Sequence, residues 1–199
     1  MEFQELVRKR RMVRKFQPRS VPREALLRVL EVARHAPSAG FSQGFDFVVL
    51  DTPKQVDWFV QTTAHPDFPD DNLTPEQIPP CLVLAISNKP SYLERYSRPD
   101  KARFGMQTAE AWPAPYWDID TGMAVMLILL ATIEEGLGAL FFGISWGEDV
   151  LLKELRVSEG CRPIGVIALG YPHESEQFDP SRFTARRRSL GSMVHFGGW

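Results

Sequence analysis

The chain has 199 residues, 23 Lys and Arg against 25 Asp and Glu for a net charge of −2, and 44% hydrophobic and 24% charged residues. A near-neutral sum excludes a globally basic nucleic-acid protein and an acidic solvating tail, and so much apolar material excludes a disordered chain. The length suits one domain around one core. Cys81 and Cys161 are the only cysteines, and the start of the chain is charged rather than apolar. A cytoplasmic protein without a disulfide framework is therefore expected. The longest apolar run, Met123 to Ala131, falls short of the roughly 18 residues that a bilayer span needs, so no membrane segment or membrane partner is expected.

Helical spacing comes first in Phe3, Leu6 and Val7. It returns in Leu26, Leu27, Leu30 and Val32, where Val21-Pro22 opens a helix that closes near Ala36-Pro37. From Arg8 to Arg19 there are cations without an acid: Arg8, Lys9, Arg10, Arg11, Arg14, Lys15 and Arg19. Such density is either a solvated helix end that complements the dipole or an anion site, since the planar fork of Arg suits phosphate. Arg186, Arg187 and Arg188 form a second cluster at the far end, which only folding could bring to the same anion. Ala36 to Gln43 joins a helix to a strand; its small residues allow close backbone approach, and Ser38, Ser42 and Gln43 add polar groups. It reads equally as a ligand loop or as an ordinary connection.

Strands are expected at Phe45–Asp51, Cys81–Asn88, Ala139–Ile144 and Pro163–Leu169, each short, apolar and rich in β-branched or aromatic residues. Alternation with helices makes the fold α/β or α+β. Pro90 to Trp117 is dense in Tyr, Trp and Pro and too long for a simple connection. Asp118 to Gly138 reads as a helix with Asp120 as N-cap and Gly136 and Gly138 as stops. Its middle is apolar on all sides and must be enclosed, by the chain's own layers or by a symmetric partner. From Tyr171 the chain is polar and Pro-interrupted, ends in Trp199, and is expected to wrap over another surface.

The chemistry narrows by elimination. His35, His65, His173 and His195 lack metal-ligand spacing, the cysteines stand singly, and no Gly-x-Ser-x-Gly elbow occurs. Arginines, aromatics and no evident nucleophile suggest that a bound cofactor carries the reaction.

Five segments, in this order, resemble the FMN-dependent nitroreductase family. They are Arg10 to Phe16, Ala36 to Gly40 with Gln43, the Asp120 to Gly138 helix ending Gly-Leu-Gly, Pro163 to Pro172, and Arg186 to Arg188. The resemblance implies an α+β fold, a central mixed sheet flanked by helices, built as an intertwined homodimer with FMN at the subunit interface. One domain over residues 1–199 would then send its tail, from about 171 to 199, over the partner. Arg10, Arg11, Met12 and Arg14 fall at the family's phosphate and ribityl contacts, and Arg186 and Arg188 at its C-terminal basic residues. Ser38, Ala39, Gly40 and Gln43 match the loop beside the flavin, often given by the other subunit. Leu140, Phe141, Phe142 and Gly143 match the strand along the isoalloxazine. Phe41 and the aromatics Tyr96, Phe104, Trp112, Tyr116 and Trp117 are candidates for the substrate pocket, or alternatively for interface packing.

Met12 stands where many members have Ser, Phe41 where many have Asn, and Gly44-Phe45 where many have Pro-Trp, so the phosphate end matches more closely than the ring end. The implied reaction is ping-pong. NADH or NADPH gives a hydride to FMN, and a nitroaromatic, quinone or similar conjugated small molecule then takes the electrons, with no catalytic side chain required. Alternatives are a relative using FMN for reductive dehalogenation or flavin breakdown, and a non-enzymatic binder of anions or nucleic acid. The net charge opposes the last.

Overall fold

The computed structural model describes residues 2–65, 67, 73–176, 179, 181 and 184–199. Strands β1 (Phe45–Leu50), β2 (Cys81–Asn88), β3 (Gly138–Phe142) and β4 (Cys161–Gly170) form one sheet in the order β1-β2-β4-β3. All three strand pairings are antiparallel. The mixed character expected of the sheet is confined to an isolated parallel bridge between Met12 and Ala139.

The sheet's period of two splits its side chains between two apolar layers. Val83 and Ala85 of β2 and Ile167 and Leu169 of β4 face a core completed by Leu26 and Val29 of α2 (Arg23–Glu31) and by Ala124, Val125, Ile128 and Leu129 of α6 (Tyr116–Glu134). Leu82, Leu84, Ile86, Val166 and Ala168 face the other way. They meet Val56 and Phe59 of α3 (Pro53–Thr63) and Leu151 of α7 (Glu148–Glu154). With both faces covered, β2 and β4 read as nearly continuous apolar runs. Among the described residues the remaining α-helices are α1 (Phe3–Lys9), α4 (Lys89–Ser97) and α5 (Pro99–Ala102).

Three elements depart from the sequence expectation. Helix α6 starts at Tyr116, so Asp120 lies inside it rather than capping it. The helix beginning at Arg23 ends at Glu31 and tightens into a 3₁₀ turn, Val32–His35, before Ala36. The Pro90 to Trp117 segment holds most of α4, all of α5 and the start of α6 rather than one long loop. Helix α3, not anticipated, is opened by a capping box in which the Thr52 hydroxyl and Gln55 satisfy each other's backbone N–H groups, with Pro53 at the first turn.

By length and composition α6 could cross a membrane, with a mean hydropathy of 1.4. It is instead the central helix of the larger core, with Asp120, Thr121 and Thr132 buried along it. Ile119, Met123 and Met126, spaced four and three residues apart, form an apolar stripe that the chain leaves 36–45% exposed.

Gly44 joins the loop after α2 to β1 at a point with no room for a side chain. A Cβ there would stand 2.4 Å from Tyr92 Cε2 and 2.7 Å from the Asn88 carbonyl oxygen. Gly44→Ala is expected to destabilise the fold by about 1–3 kcal/mol, as overpacking generally does. Gly191→Ala, where a Cβ meets nothing within 4 Å, is expected to leave the denaturation midpoint unchanged.

Candidate active site

The segment that follows α1 meets the free edge of β3 at Met12 and Val13. Met12 bridges Ala139, and the Val13 N–H donates to the Ala139 carbonyl at 2.9 Å. Val13 and Phe16 anchor the segment by burying their side chains, 2% and 1% exposed. The opening residues of the tail lie alongside. Gln17 N–H donates to the Tyr171 carbonyl at 2.8 Å, His173 N–H to the Lys15 carbonyl at 2.9 Å, and Arg14 N–H to Glu176 Oε1 at 3.1 Å.

Within this group Arg10 Nη1 is buried without a hydrogen-bond partner. An unsatisfied buried donor costs about 1–3 kcal/mol, more when it is charged, so the arrangement favours an acceptor arriving from outside the chain. Arg11 is half-buried and the Arg14 side chain is exposed. Leu140, Phe141 and Phe142 are half-buried on the adjoining strand, and Gly143 is exposed at its end. A mostly apolar cavity of about 240 Å³ lies beside them, lined in part by Phe16, Phe59, Gln77, Leu140 and Phe142.

The turn Ser38 to Gln43 lies elsewhere. It leads into β1, at the opposite edge of the sheet from β3. Three inter-strand spacings separate those edges, about 14 Å. The structure thus brings the arginine segment to Leu140–Gly143 but does not bring the turn to either within one chain.

The turn is tightly specified. Gly40, Phe41 and Gln43 all take positive φ, at 61°, 55° and 50°. For the two side-chain-bearing residues this costs roughly 1–2 kcal/mol each. Ser38 Oγ accepts from Gln43 N–H at 2.9 Å, and Ser42 Oγ donates to the Ala39 carbonyl at 2.6 Å. Asp120 Oδ2 on α6 accepts from both the Ala39 N–H at 2.8 Å and the Tyr92 hydroxyl at 2.7 Å. Burial, then the bond to Asp120, push the Tyr92 phenol far above its ordinary range, so it stays a neutral donor. Phe41 projects outward, 71% exposed.

The aromatic candidates divide. Tyr96 and Trp112 are buried with Tyr92 in a small core of their own, with ring centroids of Tyr96 and Trp112 4.7 Å apart. Trp117 packs half-buried against Tyr92 and Trp112, while Phe104 and Tyr116 are 50% and 38% exposed. Of the aromatics nominated for a pocket, Phe41, Phe104 and Tyr116 are therefore exposed and Trp117 keeps part of its surface free, whereas Tyr96 and Trp112 fill an interior. Neither cysteine is poised as a nucleophile, since burial pushes the Cys81 thiol up to about 12 and also raises that of Cys161.

Arg186, Arg187 and Arg188 are exposed, as is every residue from 184 to 199. Arg188 turns back to donate to the Ser192 carbonyl. Nothing described within one chain joins them to Arg10 or Arg14.

A sequence model of the nitroreductase family matches residues 7–171, from α1 to the end of β4. The chain belongs to the nitroreductase family. A protein of Methanothermobacter thermautotrophicus, provisionally named an NADH dehydrogenase/NAD(P)H nitroreductase, is 26% identical over 189 residues, covering 92% of this chain and 85% of that one. The structure of a nitroreductase family protein from Clostridium difficile 630 superposes with a TM-score of 0.71 at 24% identity, over 100% of both chains. An FMN-dependent nitroreductase from Clostridium difficile R20291 gives 0.66 at 20%, over 98% of both. These nitroreductase structures share the fold across its full length. The family match ends where the tail begins, so Arg186 and Arg188 lie beyond it.

Proposed function

We propose that this protein is an FMN-dependent oxidoreductase that takes electrons from NADH or NADPH and delivers them to nitroaromatic, quinone or similar conjugated acceptors. The observation that carries the reading is the buried, unpartnered guanidinium nitrogen of Arg10, two residues before the Met12 bridge to β3, a fit to a dianionic phosphate. Family membership and the names of the two relatives support the cofactor and the donor. When bound, FMN would supply the centre that accepts and passes on the hydride.

The chain's own share is to bind and orient. Arg10, Arg11 and Arg14 hold the phosphate and ribityl end, with the Met12 backbone fixing their register on β3. Leu140 to Gly143 present a half-buried backbone edge to the ring, where N–H donors favour negative charge. Phe41, Phe104 and Tyr116 supply exposed aromatic surface against which a conjugated acceptor can lie.

The active form is a homodimer with two such sites. Its support is that the turn Ser38–Gln43 and the β3 edge occupy opposite edges of one sheet, so that a turn from one protomer completes the edge of its partner. The exposed stripe on α6 is the contact surface. The tail, with Leu190, Met193, Phe196 and Trp199 all more than half exposed, reaches over the other protomer and brings Arg186 and Arg188 to its phosphate. A dimer in the cytoplasm, with FMN as its resident cofactor, accounts for all of these surfaces together.

Purified protein is expected to be yellow and to release FMN on denaturation. It is expected to oxidise NADH or NADPH faster with a quinone or nitroaromatic than with oxygen alone. A colourless protein that also refuses added FMN overturns the proposal.

A further inference from the structure

The turn Ser38–Gln43 is held from outside by two helices, and none of the groups that hold it belongs to the flavin contacts proposed above. Asp120, 2% exposed on α6, gives a single carboxylate oxygen to both the Ala39 N–H and the Tyr92 hydroxyl. Arg95 on α4 donates through Nε to the Gly40 carbonyl at 2.9 Å, and is itself fixed by paired bonds to Asp100 at 2.9 and 2.7 Å. Tyr96 closes on Gly40 so tightly that a Cβ there would stand 2.7 Å from its ring. The bonds to Ala39 and Gly40 are made at the point where the backbone enters its run of positive φ.

A turn containing Phe41 and Gln43 in the left-handed region does not adopt that shape by local preference. Strained backbone persists only where its surroundings over-determine it, and such places are where geometry serves function. A buried carboxylate with no cationic partner among the described residues, as Asp120 is, is likewise retained only with its hydrogen bonds in place. Here both requirements are met by the same oxygen.

We infer that Asp120, Tyr92 and Arg95 are positioning residues: they clamp the strained turn so that Phe41 and Gln43 are presented in one orientation to the acceptor. The inference rests on the flavin reading, since the turn matters to turnover only if it borders the cofactor. None of the three touches cofactor or acceptor; they act through Ala39 and Gly40.

The test compares Asp120→Ala, Asp120→Asn and Tyr92→Phe. An Asn oxygen can accept the same two bonds, an Ala accepts neither, and Phe removes one donor while keeping the packed ring. In flavin-free protein, amide exchange at Ala39 to Gln43 is expected to quicken at least tenfold in Asp120→Ala, with β2 and β4 unchanged. In flavin-loaded protein the KM for a benzoquinone acceptor is expected to rise at least fivefold in Asp120→Ala and to a lesser degree in Tyr92→Phe. Asp120→Asn is expected to stay within threefold of the original protein in both measurements. Should Asp120→Ala fail to fold, Tyr92→Phe against Asp120→Asn carries the same comparison. A yellow parent protein whose folded variants keep its KM and its loop exchange overturns the clamp alone. A parent that binds no FMN overturns the flavin reading and the clamp's role together.

Discussion

Simultaneous replacement of Arg10 and Arg186 by Ala is expected to weaken FMN binding by about 10²–10⁴-fold, since each charge-assisted contact contributes about 1.5–3 kcal/mol. The two single variants are not expected to be equal. Arg10 follows α1 and its Nη1 is already buried and unpartnered, so the bound state asks for little further ordering. Arg186 sits on an exposed tail, whose side chain and backbone must be ordered on binding, and that entropy offsets part of its gain. Arg10→Ala alone should therefore exceed Arg186→Ala. Arg34, exposed and paired with Glu31, provides the control: Arg34→Ala is expected to leave FMN affinity unchanged, as surface pairs contribute little. Titration of apoprotein with FMN, followed by quenching of flavin fluorescence, reads all four. A double variant with the parent's affinity would place the phosphate elsewhere.

The fold was legible wherever burial imposed a period. The expected bounds of each of the four strands lie within two residues of the observed ones, because β2 and β4 are covered on both faces and β1 and β3 inherit their pairing. Parallel pairing appears only at the Met12 bridge, which no periodicity announces, since a single bridge leaves no pattern. Helices α3 and α7 were missed for a different reason. Their buried residues are few, Val56 and Phe59 in one and Leu151 in the other, too sparse to stand out, although the Thr52-Pro53 start of α3 carried a readable capping signal.

At the candidate site, the arginine segment could be anticipated from composition, whereas the proposed clamp could not. Asp120 has the residue type and the position of an N-cap. Only the four additional residues of α6 upstream, from Tyr116, turn it into an interior carboxylate. One signal was present all the same: an acid beside a long apolar run has to find donors, and tyrosines stood in the preceding segment. Tyr96 and Trp112 looked like lid residues because aromatic density marks pockets and small cores alike. Their burial with Tyr92 separates the two cases, and sequence alone has no term for which way a ring points. The separation of the turn from β3 across the sheet was likewise invisible before strand order was known.

That separation makes the association state the most consequential quantity to perturb. If the protein is the proposed FMN-bearing homodimer, Met126→Glu is expected to convert it to monomer and, in the same step, to strip it of flavin. Met126 lies at the C-terminal end of the exposed stripe that Ile119 and Met123 begin, and Phe3 and Val7 of α1 are also 69% and 41% exposed. A carboxylate buried at an apolar contact without a partner costs several kcal/mol and commonly is not tolerated. Because the turn of one protomer and the β3 edge of the other would form each site, dissociation removes half of every site rather than merely loosening it. Val150→Glu on α7, 44% exposed against 39% for Met126 but on the opposite layer, is expected to change neither property. Sedimentation equilibrium together with visible flavin absorbance distinguishes the outcomes. A monomeric Met126→Glu protein that retains its full complement of FMN would show that one chain suffices for the site, and the two-protomer arrangement would fall while the cofactor assignment stood.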